Sequence, residues 1–312
     1  DEMFYDEKKS YAKGINNVKV IDTINNTIAT SHFAEVFRAN DSIYMTKKPL
    51  VTYYTPKDTT YFHAKNLQIV GPDKQRVIKG YPNARIYRTP DMSGKADSLH
   101  YDQKIGLLQL IRKPVLFKEE SQLTGDVIHL INNVETEKLD SLKVLTNAFV
   151  IQKDSLGSGF NQAKGINMYG KFIDDKIRQI DLVQNAEMIY YVYDEEVLKG
   201  IDKGICSKIV LELENNKITT ATRMINPEGT TYPPEQFPEN ARKLAGFNWR
   251  GDERMYSVDE LFSDEELKHD DKAEEEVKKN EKISEKPMEI LDKTLNFKRS
   301  GKTPNVIKKR SE

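Results

Sequence analysis

Seven side chains in this chain have types that could support chemistry: His32, His63, His100, His129, Cys206, Asp97 and Asp126. These four of the chain's five histidines show no ligand-like spacing with the cysteine or with acids, so a metal centre is not expected. His100 and His129 alternate with apolar neighbours, which predicts a solvated strand face. Cys206 occupies a place that Ala64, Ala96, Gly125 and Gly165 take in similar segments, so it reads as a small buried hydrophobe and not as a nucleophile. Asp97 and Asp126 each follow that small residue. As a pair they would suggest glycoside hydrolysis, but repetition of the motif accounts for both, and turn polarity is the plainer reading. No Gly-rich phosphate loop and no G-x-S-x-G elbow is present. The chain reads as a non-enzyme without cofactor or metal.

Composition narrows the remaining classes. The 48 Lys and Arg nearly cancel the 49 Asp and Glu, which excludes a nucleic-acid binder working through a basic footprint. One cysteine excludes a disulfide framework. No apolar run approaches the ~18 residues of a membrane-spanning helix. Mean hydropathy is low at −0.67, largely because 26 of the 97 charged residues lie in 263–312. The first residues, Asp1-Glu2-Met3, show no signal-peptide character, and any such leader is expected to be absent from this chain.

The elements that would position these side chains are repeats. YAKGINNVKV (11–20) lies over VIKGYPNARI (77–86), and LTNAFVI (145–151) over VQNAEMI (183–189), with HFAEVF (32–37), KKPLVT (47–52) and RKPVLF (112–117) as looser copies. Each places a small residue, valine or proline two positions before an aliphatic residue or Met, the period of one strand face. The intervening Lys19, Glu35, Arg85 and Glu187 predict a second face in water. A second motif, small-x-x-aliphatic, interleaves in AKNLQI (64–69), ADSLHY (96–101), GDVIHL (125–130), GINMYG (165–170) and CSKIVL (206–211). GLLQLI (106–111), DSLKVL (140–145) and RQIDLV (178–183) connect them. Asn25-Asn26, Asn132-Asn133, Asp174-Asp175 and Asn215-Asn216 supply residues that tolerate positive φ in tight turns. Unequal spacing disfavours a regular β-helix. The pattern predicts an all-β, elongated, folded-over antiparallel sheet with apolar residues inside and open ends, which could receive another strand.

The segments YFHAKNLQI (61–69), MSGKADSLHYD (92–102), QLTGDVIHL (122–130), SLKVLTNAFVI (141–151) and FNQAKGINMYGKF (160–172) resemble the OstA-like or LptA-like family of lipopolysaccharide transport, over roughly residues 10–225. The resemblance implies an elongated β-jellyroll ("β-taco") in the periplasm, free or associated with the outer membrane. It also implies a slit for the acyl chains of lipopolysaccharide, and ends that stack on like jellyroll domains of the transport machinery or on a second copy. The chain is longer than the short LptA type, opens inside a repeat unit and adds a C-terminal segment. Longer OstA-like proteins and the periplasmic part of LptD-like proteins are the nearer matches.

On this reading the slit is lined by Val51, Leu67, Ile69, Ile86, Leu99, Tyr101, Leu116, Ile128, Leu130, Val150, Met168 and Met188. The alternative is a structural, protein-binding β module in which the same residues fill a closed core without lipid. Three units are expected: jellyroll repeats over 1–232, an aromatic and proline-containing segment over 233–262 that caps one open end or docks a partner, and a charged, disordered tail over 263–312.

Overall fold

The computed structural model describes residues 1–215, 217–264 and 266–267. Among the described residues there are 23 antiparallel strands, with short 3-10 turns between and after them. The strands form two stacked layers joined along one side.

The first layer orders, by hydrogen bonding, Glu2–Asp6, 11–15, 33–37, Ser42–Thr46, Asn66–Val70, Val77–Tyr81, Ser98–Asp102, Leu107–Ile111, Val127–Asn132, Leu139–Leu145, Asn167–Ile173, 176–183, 208–214 and Lys217–Met224. The second orders 18–22, 27–31, Leu50–Tyr54, Thr59–His63, Ala84–Arg88, Met92–Ala96, Val115–Lys118, Ser121–Thr124, Ala148–Lys153, Phe160–Gly165, 186–194, 197–206 and Glu228–Tyr232. The chain therefore alternates between layers, and the two sequence motifs are its two kinds of crossing.

Crossings from the first layer to the second use paired residues at positive φ: Asn16-Asn17, Lys47-Lys48, Arg112-Lys113, Thr146-Asn147, Gln184-Asn185 and Ile225-Asn226. Two left-handed residues turn the backbone sharply, and the Pro or Ala that often follows starts the next strand without crowding the bend. Crossings back use the small residue of the second motif. A Cβ on Gly125 would stand 2.4 Å from Val144 Cγ1, so side-chain size is restricted there. Backbone bonds link successive crossings into a spine: Lys65 N–H to Pro82 O at 3.1 Å, Asp97 to Arg112 at 3.1 Å, Asp126 to Thr146 at 3.0 Å, Ile166 to Gln184 at 2.9 Å and Ser207 to Ile225 at 3.1 Å. Asp97 and Asp126 are spine residues, bonded to Arg112 and Asn147. Cys206 is buried at the same kind of crossing, its thiol donating to Lys208 O.

One large apolar core fills the space between the layers. The alternation that built it predicted water on both outer faces, and here the structure differs. The first layer does present His100, Gln109 and His129 outward; Gln109 bonds His129 at 2.9 Å. The outer face of the second layer is covered by the chain itself. Residues 233–264 run back across it from one end of the molecule towards the other, packing Phe237 and Leu244 on Phe149, Ile189, Tyr191 and Ile201, then Met255 and Leu261 on Tyr87. The segment expected to cap an open end is thus a strap over a face, because the second layer is apolar on both sides.

Polar side chains of that layer clamp the strap's backbone. Buried Gln162 donates to Arg242 O (2.7 Å) and accepts from Leu244 N–H (2.8 Å). Buried Gln122 does the same with Asn248 O (2.8 Å) and Arg250 N–H (2.6 Å). Ser93 accepts from Met255 N–H, and Arg85 donates to Leu261 O. At the far end Ser263 and Glu266 form a capping box. Glu266 Oε1 lies 3.4 Å from Nε2 of buried His63, whose Nδ1 meets Pro49 O at 2.8 Å. The expected tail over 263–312 lies outside the described residues beyond 267.

Candidate functional site

Opposite the spine, hairpin turns end both layers, and there the interlayer space opens. Layers that meet at a spine must be closest there and farther apart towards the turns. Two cavities result.

The C-terminal one is small, about 170 Å³, and apolar; Leu123, Leu139, Leu142, Phe172, Ile177 and Ile180 contribute to its wall, with Lys118, Glu119 and Ser121 at the rim. The N-terminal one is larger, about 440 Å³. Phe62, Ile86, Leu108 and Tyr101 are among its apolar lining, while Asn26, Gln103, Asn132, Lys74, Lys104 and Glu137 bring polar groups. Arg88 pairs there with Asp58 at 2.6 Å.

Burial, aided by neighbouring Tyr53, pushes the Tyr101 phenol far above its ordinary range. Burial also raises Tyr53. Both hydroxyls are therefore neutral donors and acceptors at any ordinary pH. Their rings lie 5.8 Å apart, and Phe62 stacks on Tyr101 at 5.6 Å. On the outer face, His100 and His129 are pushed down by partial burial, then by Lys79 and Lys143 respectively. Among the described residues no group of three or more His, Cys, Asp or Glu could hold a metal ion.

All twelve residues expected to line a slit project between the layers, but they do not share one fate. Leu116, Val150, Met168 and Met188 line the apolar cavity, Ile86 and Tyr101 the polar one, and Leu130 both. Val51, Leu67, Ile69, Leu99 and Ile128 line neither and are packed into the core, Val51, Leu67 and Ile128 with no exposed surface. Most of these five follow closely on a spine crossing, but so do Ile86, Leu116, Met168 and Met188, so nearness to the spine does not by itself decide packing.

Leu139, Leu142, Phe172, Ile177 and Ile180 belong to strands whose alternation is plain in the sequence. Their place at the wide side follows from their distance to the nearest crossing. That distance could have been counted.

The fold and site define a two-layered antiparallel β-jellyroll with two adjoining cavities between its layers. Neither a family model nor a curated protein matches the chain. Among solved structures it is similar to LptH of Pseudomonas aeruginosa, described as the LptA-homologous periplasmic component of the lipopolysaccharide transport device, at 16% identity and a TM-score of 0.35, covering 46% of this chain and 95% of that one.

Proposed function

We propose that this protein is a non-enzymatic periplasmic carrier that holds the acyl chains of lipopolysaccharide in its interlayer cleft and passes them along stacked jellyroll domains. The observation that carries the reading is an apolar cavity of about 170 Å³ between the two layers, adjoining a larger and more polar one. Each buried methylene contributes about 0.8 kcal/mol, so a chain of ~12 carbons gains several kcal/mol even when partly covered.

Stacking is supported by the two ends. At one, the edge strand Glu2–Asp6 exposes Met3, Phe4 and Tyr5. At the other, Ile205, Met224 and Ile225 are exposed beside the last strands. Unpaired edges with apolar side chains favour pairing with a like edge.

The test is photo-crosslinking of the full chain to lipopolysaccharide from a benzophenone amino acid at Leu142 or Ile180, with Ile128 as the packed control. Adducts at the first two positions and none at Ile128 are expected. Absence of adducts at both cleft positions would leave the closed structural module as the better account.

A further inference from the structure

The two cavities are not separate sites. Met92 and Leu130, in opposite layers, line both, so the two cavities adjoin at these side chains and the lining changes polarity there. On the C-terminal side the wall is mostly aliphatic and aromatic, with Lys118, Glu119, Ser121, Gln152, Asn161 and Gln162 as its polar contributors. On the N-terminal side it carries the amides of Asn26, Gln103 and Asn132 and the hydroxyls of Thr60, Tyr53 and Tyr101. The Tyr53 hydroxyl is hydrogen-bonded with the Tyr101 hydroxyl and with the side-chain amide of Gln103, a small network set over a floor of rings.

The chemistry of this wall selects a head group. Amides and neutral hydroxyls both donate and accept, as sugar hydroxyls do, and aromatic rings offer a flat apolar platform. A phosphate would instead call for converging cations. Arg88 is taken by Asp58, and Lys74 and Lys104 share the rim with acidic Glu137.

Resting on the lipid-holding role above, we propose that the cleft takes a single glycolipid in one orientation, its sugar in the N-terminal cavity and its alkyl chain in the C-terminal cavity, with the junction at Met92 and Leu130. The reverse placement would bury sugar hydroxyls against aliphatic walls with no partner and is disfavoured on that ground.

The experiment uses the full chain and dodecyl maltoside carrying a diazirine either at the end of the alkyl chain or on the sugar, with labelled residues located by mass spectrometry. Chain-end label is expected at Leu139, Phe172 or Ile180, and sugar label at Tyr53, Thr55 or Lys104. A reversed pattern, or both labels in one cavity, would overturn the orientation.

A second measurement compares dodecyl maltoside with 1-dodecanol. The Tyr53→Phe/Tyr101→Phe variant should weaken the maltoside at least tenfold and leave the alcohol unchanged; equal loss for both, or none for either, would count against a sugar site. If the alcohol binds and the maltoside does not, the orientation fails while the lipid-holding role stands. If neither binds, both fall.

Discussion

Gln122 offers the sharpest test of how the strap is held. It is 1% exposed, and its amide makes two bonds to the strap, to Asn248 O at 2.8 Å and from Arg250 N–H at 2.6 Å. Gln122→Met keeps the shape and removes both. Two backbone groups then lose their partners beneath a packed segment, at about 1–3 kcal/mol each. With about 2–6 kcal/mol lost from strap docking and about 1.4 kcal/mol per factor of ten, local opening should rise by at least roughly 30-fold. Hydrogen exchange of residues 242–256 should speed up by that factor. Fluorescence of Trp249, the chain's one tryptophan, which packs on Phe160, should change at lower denaturant than the rest of the fold unfolds. Gln109→Met, on the uncovered face, is the control and should leave the strap unaffected. Unchanged strap exchange in Gln122→Met, or an increase spread evenly over the whole chain, would refute the clamp.

Three further outcomes are expected. Burial alone would raise the Glu266 carboxyl, but hydrogen bonds from His63 and Ser263 outweigh it and hold the group at about 2, below its ordinary 4.5; its contribution to docking is therefore complete above about pH 4.5 and lost as pH falls towards 2, seen as faster exchange of 258–267 that Glu266→Gln should make insensitive to that range. Ile128→Ala, at a fully buried core position, should lower unfolding stability by about 2–5 kcal/mol in urea without altering crosslinking from Ile180. Asn83, at φ 59° in a spine crossing, should accept Gly with little change, whereas Asn83→Val should cost about 1–3 kcal/mol.

Much of the fold can be read from the sequence because its cause is local. Alternation fixes which side chains of a strand face inward, and residues such as Asn147 and Gly125 mark the crossings by their tolerance of positive φ or by their small size. The strap is less legible. Its residues have no period, and what holds them is distant: Gln122 and Gln162 sit in a row otherwise occupied by Phe117, Ile151 and Ile189. An amide among such neighbours is the signal that an outer face is covered, since a buried amide needs partners. The division of lining residues was hidden for another reason. Ile128 and Met168 hold the same place in the second motif, yet only Met168 lines a cavity, so the strands around each position, and not a local pattern, separate a packed position from an open one.

The strap also bears on how such a molecule changes length. Strands bonded only to their neighbours can be duplicated or deleted with little disturbance elsewhere, as in other repetitive architectures. Here a single segment is pinned at intervals from Ile201 to His63, so its span is matched to the number of strands beneath it. An inserted repeat would pull those pins out of step unless 233–267 lengthened with it. The strap is in that sense a tape measure, and relatives with more or fewer strands should carry C-terminal segments of proportionate length.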